Sequence, residues 1–251
     1  MKKRDKILNL ILPIGTVLAI FCFWYIASIS LDNEYLLPSV KDTVKKVFAL
    51  FGSEKFYLAF LSTLLRSLVA FIFSFILALV LSAIARKSPH AKKIIAPVIS
   101  ITRALPTIAV VLLLLFWTNS LVAPVIVTML VLFPTVYTQF ESAFFSLDNT
   151  VIEASRVDGA NETKVLLFIE LPQIMPSIYN VIGSGISLNF KLMVAAEVIA
   201  QTANSIGYLL NTSKVYFEIA EMLAIVIVAI IFGVIIEKIF NKISIKSSDW
   251  K

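Results

Sequence analysis

Several residues in the longest polar stretch of this chain stand at spacings that belong to one element. Glu153, Ala154 and Ser155 are followed after three residues by Gly159. Nine residues later come Ile169, Glu170, Leu171 and Pro172. The segment around 151–158 reads as a short helix with an acidic first half, kept thin by Ala154 and Ser155. Asp158 and Gly159 stand at its end, where a glycine can take a positive φ. A stiff, thin helix of this kind fits a groove on another protein, and Glu153 can pair there with a basic or backbone donor. Its chemistry is mechanical: it hands on a rigid-body movement.

Four further ionisable residues, Arg66, Arg103, Lys191 and Glu197, fall inside apolar runs. Such residues are rare within a bilayer and face a cavity or one another. For Arg66 and Arg103, snorkelling or a structural ion pair stands beside lining of a translocation pathway. Glu197 lies near an outer end, where a gate or a partner contact competes with a pore role. Lys191 is the deepest, and a lone ammonium there suits an anionic or carbonyl-rich solute.

Covalent chemistry is poorly supplied. His90 is the single histidine and sits in a basic loop, so there is no histidine pair for zinc and no Ser-His-Asp set. Cys22 is alone inside the first apolar run, which rules out a disulfide framework or a cysteine metal cluster. No G-x-x-x-x-G-K-[ST] phosphate cradle occurs among the 7 glycines. If ATP supplies work to this chain, it is hydrolysed on another one.

The elements that must hold these residues are membrane helices. The chain is 59% hydrophobic and 15% charged, against roughly 45–50% and about 25% in soluble domains. Runs such as 108–116 are continuously apolar, unlike the strict alternation of barrel strands. The expected fold is all-α, a single transmembrane domain over 1–251 with spans near 7–29, 56–85, 94–117, 122–140, 177–200 and 221–240. Pro13 sits within the first span, and a short helix is possible after Pro38. A polar loop carries Ser205, Gly207 and Asn211. The stretch 142–176 is too charged for lipid, and Pro172 with Pro176 sets the angle at which the chain re-enters the membrane.

Lysine and arginine placement orients these spans. With both termini cytoplasmic, the inner side holds Lys2, Lys3, Arg4 and Lys6, then Arg86, Lys87, Lys92 and Lys93, then Arg156 and Lys164, then Lys238, Lys242, Lys246 and Lys251. The outer side holds only Lys41, Lys45, Lys46, Lys55 and Lys214. That asymmetry follows the positive-inside rule and puts the 142–176 loop in the cytoplasm. The net charge of +6 is spent at span ends, so no nucleic-acid face is expected.

The 153–172 pattern resembles the EAA loop of binding-protein-dependent ABC importer permeases of type I: EAA, three residues, G, nine residues, I-x-L-P. Ser155 replaces the second alanine. Thr63 to Arg66, Arg103 to Ala109, and Ala196-Glu197 followed by Ser205 to Leu210 look like the branch importing nitrate, sulfonates, taurine and pyrimidine vitamin precursors. Ile206 departs from the glycine-aliphatic-glycine usual there, and Lys191 is unexpected in the fifth span.

The resemblance implies a permease of the bacterial plasma (inner) membrane that forms the solute pathway and catalyses no reaction itself. It implies two ABC ATPase subunits, an extracytoplasmic solute-binding protein, a second permease copy or a homologous permease, and surrounding lipid. ATP and magnesium would be on the ATPase, with no cofactor on this chain. The implied coupling residues are Glu153, Ala154, Ser155, Asp158, Gly159, Ile169, Leu171 and Pro172, and Arg66, Arg103, Lys191 and Glu197 are the pathway candidates. An ATP-independent secondary transporter or channel is the competing reading and would call for an internal inverted repeat, which the sequence does not display. An intramembrane enzyme would need a dyad inside the spans; His90 lies outside them, and they hold no aspartate pair.

Overall fold

The computed structural model describes the backbone of residues 2–248 and the side chains of Leu12 and 15–246. Lys2, Lys3, Arg4, Lys6, Pro13 and Lys251 lie outside the residues whose side chains are described. Among the described residues the regular structure is helical throughout. The helices are α1 (Lys2–Leu31), α2 (Val40–Phe51), α3 (Glu54–Lys87), α4 (Pro89–Ala104), α5 (Thr107–Trp117), α6 (Ala123–Phe145), α7 (Asn149–Val157), α8 (Glu162–Val165), α9 (Leu171–Ala200), α10 (Ile206–Val215) and α11 (Ile219–Ser248). A wide π-turn, Leu166–Glu170, joins α8 to α9.

Four helices are long and apolar enough to cross a bilayer: α3, α6, the continuous rod Glu162–Ala200, and α11 over Ile219–Lys246. The pair α4–α5 makes a fifth if counted as one broken span, and the apolar stretch Gly15–Leu31 of α1 has the same character over a shorter length. The expected third span, 94–117, is therefore not one straight helix. It bends by 95° at Leu105 and Pro106. Proline has no N–H to continue the ladder and pushes the residue before it out of the helical region, and Leu105 accordingly has ψ 124°. The helix that carries the expected fifth span begins well before residue 177, because the polar end of the rod, from Glu162, is helical too. Pro172 removes one helical hydrogen bond, and the π-turn absorbs the fault, with the Leu171 N–H donating to the Leu166 carbonyl.

Of the expected polar loop, Ser205 stays outside regular structure, while Gly207 and Asn211 lie in the helix α10. The short helix expected after Pro38 is α2, capped by the Ser39 hydroxyl on the Asp42 N–H.

The chain divides into two units. One consists of the residues up to Tyr57 with Leu209–Val228. In it, the Trp24 indole N–H donates to the Pro38 carbonyl at 3.1 Å. Lys46 of α2 bridges Glu218 at 2.9 Å and Glu221 at 3.0 Å, at the start of α11. The Glu218 and Glu221 carboxylates raise the Lys46 pKa, and Lys46 in turn lowers that of Glu218.

The other unit, Leu58–Tyr208 with the chain from Ala229 onward, holds the main core. There α6 and α9 pack together as the central pair. Phe71 and Phe75 of α3 join Phe140 and Phe144 of α6 and Ile174 and Val181 of α9 in one apolar cluster. With no hydrophobic drive between helices in lipid, small residues let backbones approach closely. Gly183 of α9 lies against Phe240 and the Glu237 backbone of α11.

Candidate functional site

The loop element is built as a capped helix. At its N-terminus the Asp148 carboxylate accepts from the Thr150 N–H at 2.8 Å, and hydrogen bonds from Thr150 hold that carboxyl below the usual range. At its C-terminus the Gly159 N–H donates to the Arg156 carbonyl and the Ala160 N–H to the Ser155 carbonyl, both at 3.0 Å. These two bonds form a Schellman cap, and Gly159 supplies its left-handed residue with φ +85°. Nothing stands within 4 Å of where a Cβ on Gly159 would be, so the demand for glycine is conformational and not one of space.

Ile152 is the buried anchor of α7, while Glu153, Ala154 and Asp158 are exposed. Val157 is 87% exposed. The Ser155 hydroxyl turns back to the Val151 carbonyl at 2.8 Å, a bond that adds little to a helix. Thus α7 has one buried anchor, while Ala154 and Val157 stand outward.

Beneath α7 lies a cleft of about 720 Å³ lined by Arg86, Lys87, Asn149, Glu153, Arg156 and Glu170, among others. Arg156 pairs with Glu162 at 2.9 Å. Arg86 donates to the Asn149 side-chain oxygen at 2.5 Å and stands 3.9 Å from Glu170. Glu170 is 3% exposed and its Oε2 has no partner. The I-x-L-P spacing leaves Glu170 as its unspecified position, and the run of apolar residues before it in the rod, Leu166 to Ile169, is the local signal of its burial. Of the other motif residues, Ile169 and Leu171 are half-buried and Pro172 exposed, all on the rod and not on α7.

The four intramembrane charges separate into two kinds. Arg66 and Glu197 come together: Arg66 Nη2 is 2.8 Å from Glu197 Oε1. The other oxygen, Oε2, accepts from the Thr63 hydroxyl at 2.8 Å and lies 3.4 Å from the Gly207 N–H. Thr63 in turn accepts from the Ile206 N–H at 2.9 Å. One carboxylate thus ties α3, the end of α9 and the start of α10. Gly207 is needed there, since a Cβ would lie 2.4 Å from Glu197 Cβ and 2.6 Å from the Val198 nitrogen. Thr63 and Gly207 complete this knot.

Arg103 and Lys191 join no such knot. Arg103 ends α4, just before the bend, and donates to the Thr138 hydroxyl at 2.7 Å and the Pro134 carbonyl at 3.4 Å. Lys191 is exposed on α9 and makes no hydrogen bond or ion pair among the described residues; its Cε lies over Gly233 of α11. Among the described residues no group of three or more His, Cys, Asp or Glu is placed to hold a metal ion.

The family described as binding-protein-dependent transport system inner membrane component matches residues 70–244. The chain belongs to this family. The permease is 23% identical over 246 residues to the taurine transport system permease protein TauC of Escherichia coli strain K12, covering 95% of this chain and 89% of that one. It is 27% identical over 125 residues to the riboflavin transport system permease protein RibX of Chloroflexus aurantiacus, or 49% of this chain and 46% of the other. In fold it resembles a chain of a bacterial ABC transporter that imports the acidic polysaccharide alginate, with a TM-score of 0.67 and 18% identity over 97% of this chain and 96% of that one. It also resembles a chain of the inward-facing MetNI methionine ABC transporter, with a TM-score of 0.64 and 18% identity over 78% and 99%. The permease is accordingly the membrane subunit of an ATP-driven importer, all-α and of the type I fold. It is not an enzyme; ATP is hydrolysed by a separate subunit.

Proposed function

We propose that α7, from Glu153 to Gly159, is where that ATPase drives the permease. The observation that carries this reading is the contrast within the loop: both ends of α7 are capped and Ile152 is anchored, while Ala154 and Val157 face outward and Glu153 is exposed at the rim of the cleft. A rigid element with an unpartnered outer face transmits force without absorbing it. The continuous rod Glu162–Ala200 then carries movement from the loop into the bilayer, with Ile169, Leu171 and Pro172 at its fault.

The machine around this subunit contains two ATPase chains, an extracytoplasmic solute-binding protein and a second permease, identical or homologous. Its solute is a small organic or inorganic anion or a vitamin precursor, in keeping with the taurine and riboflavin systems named for its relatives. The permease is a single six-span domain of the inner membrane with both termini and α7 in the cytoplasm, as the lysine and arginine asymmetry supports.

Two placements test this reading. A photo-crosslinking residue at Ala154 should capture the ATPase, whereas one at Tyr35, 72% exposed, should not. In a Cys22→Ser background, Val157→Cys in intact cells should resist a membrane-impermeant thiol reagent and Tyr35→Cys should react. Labelling in the reverse sense, or ATPase capture from Tyr35, would overturn the assignment.

A further inference from the structure

Asn189 and Glu197 of α9 turn to Ser67, Thr63 and Arg66 of α3, while a second set of polar residues follows another side of the helix. Ser177, Asn180, Ser184, Ser187 and Lys191 are spaced three, four, three and four apart, which confines them to an arc of about 80°. On α6, Thr135, Thr138, Gln139 and Ser142 share one side by the same reckoning. Because α6 and α9 pack together, the two rows adjoin. The Ser184 hydroxyl reaches Gln139 Oε1 at 3.5 Å, and a cleft of about 330 Å³ opens between the rows, lined by Thr138, Gln139, Ser142, Ser177 and Asn180. Arg103 stands at its edge through Thr138.

Ser142 and Ser177 stand at the cytoplasmic border of the expected spans. The part of the cleft within them, at Thr138, Gln139, Asn180 and Ser184, is not a surface that lipid can cover, since unsatisfied polar groups in hydrocarbon are costly. Asn180 and Lys191 are exposed along this arc, while Ser187 between them is buried against Gly233 of α11, over which the Lys191 stem also lies. The charges also differ from those elsewhere. Arg66 has Glu197, and the carboxylate of α6, Glu141, is engaged by Lys92 at 3.3 Å. Among the described residues Arg103 and Lys191 have no carboxylate partner, and Glu237 of α11 meets α9 at Gly183 through its backbone. The face thus presents two uncompensated cations, with amides and hydroxyls between them.

Resting on the permease reading above, we propose that this α6–α9 face is the solute-binding wall of the pathway, with a station for a small oxyanion at Arg103, Thr138, Gln139, Asn180 and Ser184. Arg103 keeps guanidinium N–H groups free for the anion's oxygens while Thr138 holds its Nη2. The amides of Gln139 and Asn180 supply neutral donors, and the Ser184 hydroxyl, which donates to the Asn180 carbonyl at 2.9 Å, must turn from it to add a third. Lys191, farther along the same arc, offers a second positive site.

The test uses charged thiol reagents as the anion and its opposite. Gln139→Cys, Asn180→Cys and Ser184→Cys are made one at a time in Cys22→Ser permease, purified with its ATPase in zwitterionic nanodiscs. Each is treated with 2-sulfonatoethyl methanethiosulfonate or its trimethylammonium counterpart, and rates are normalised to free cysteine. A cleft lined by one sign of charge raises counter-ion encounter by about tenfold or more. The anionic reagent should win by that factor at all three positions, and the preference should vanish with Arg103→Gln and Lys191→Gln together but persist with Arg103→Lys. Phe73→Cys, on an exposed apolar face of α3, should react with neither. Silence at all three cleft positions, an equal rate for the two reagents or a cationic preference would overturn the proposal. So would loss of the anionic preference on adding phosphatidylglycerol, which would make Arg103 a lipid-headgroup site. The labelling does not require coupled hydrolysis, so a failure of α7 as the coupling element would leave its result unchanged.

Discussion

Arg66 and Glu197 lie 131 positions apart in sequence and form one ion pair at 2.8 Å in which the glutamate side chain is fully buried. A buried pair is weak evidence of net stabilisation, but removing one partner strands the other, at about 3–5 kcal/mol. Glu197→Ala should therefore lower the melting temperature of the purified permease sharply, because Arg66, Thr63 and the Gly207 N–H all lose their acceptor. Glu197→Gln keeps an acceptor and should cost less. Arg66→Met combined with Glu197→Leu should recover part of the loss, and full additivity of the single effects would show the pair to be uncoupled.

Gly207 should tolerate no side chain. Its virtual Cβ meets backbone of α9, not the movable end of a side chain, so Gly207→Ala must separate α10 from α9. About 1–3 kcal/mol is expected for such overpacking. The neighbouring change Ile206→Val removes one methyl group and should cost less, by the same melting assay. Equal tolerance at the two positions would contradict the close contact.

The bridge from Lys46 to Glu218 and Glu221 carries a pH window. Lys46 is raised above its ordinary value, so its contribution is complete below about pH 10.5 and is lost as pH rises beyond that through the folded value. Glu218 is lowered, so its contribution is present above its ordinary value of about 4.5 and disappears only as pH falls through the depressed one. The melting difference between wild type and Lys46→Met should accordingly be the same at about pH 6 and about pH 9. A difference that shrinks across that interval would remove the bridge from the account.

The spacing of Glu153 to Gly159 was enough to read a short helix ended by glycine, because caps are local: Asp148, Gly159 and the two bonds that close on Ser155 and Arg156 lie within thirteen positions of one another. The long apolar helices α3, α6, α9 and α11 were likewise legible from apolar run length. The α4–α5 bend was hidden inside such a run, although Leu105-Pro106 is the dipeptide that breaks helices. Helix α10 was obscured because Ser205, Gly207 and Asn211 resemble loop residues, and only packing against Glu197 shows why a glycine begins that helix. The pairing of Arg66 with Glu197 had no local signal at all. The polar arc of α9 was present as a three-four spacing, but its meaning depended on which neighbour, α6, supplied the facing row.

The central claim is that work enters through α7, and the most direct measurement is ATP hydrolysis stimulated by loaded binding protein in the reconstituted importer. Gly159→Val forces a branched side chain to a positive φ, at about 1–2 kcal/mol, and so loosens the cap. Glu153→Arg reverses the charge on the exposed face. Ser155→Ala loses only a hydroxyl bonded within its own helix. The account predicts near-wild-type stimulation for Ser155→Ala, with stimulation lost in Gly159→Val and Glu153→Arg while both still insert into the membrane. Full stimulated hydrolysis in those two variants would contradict it.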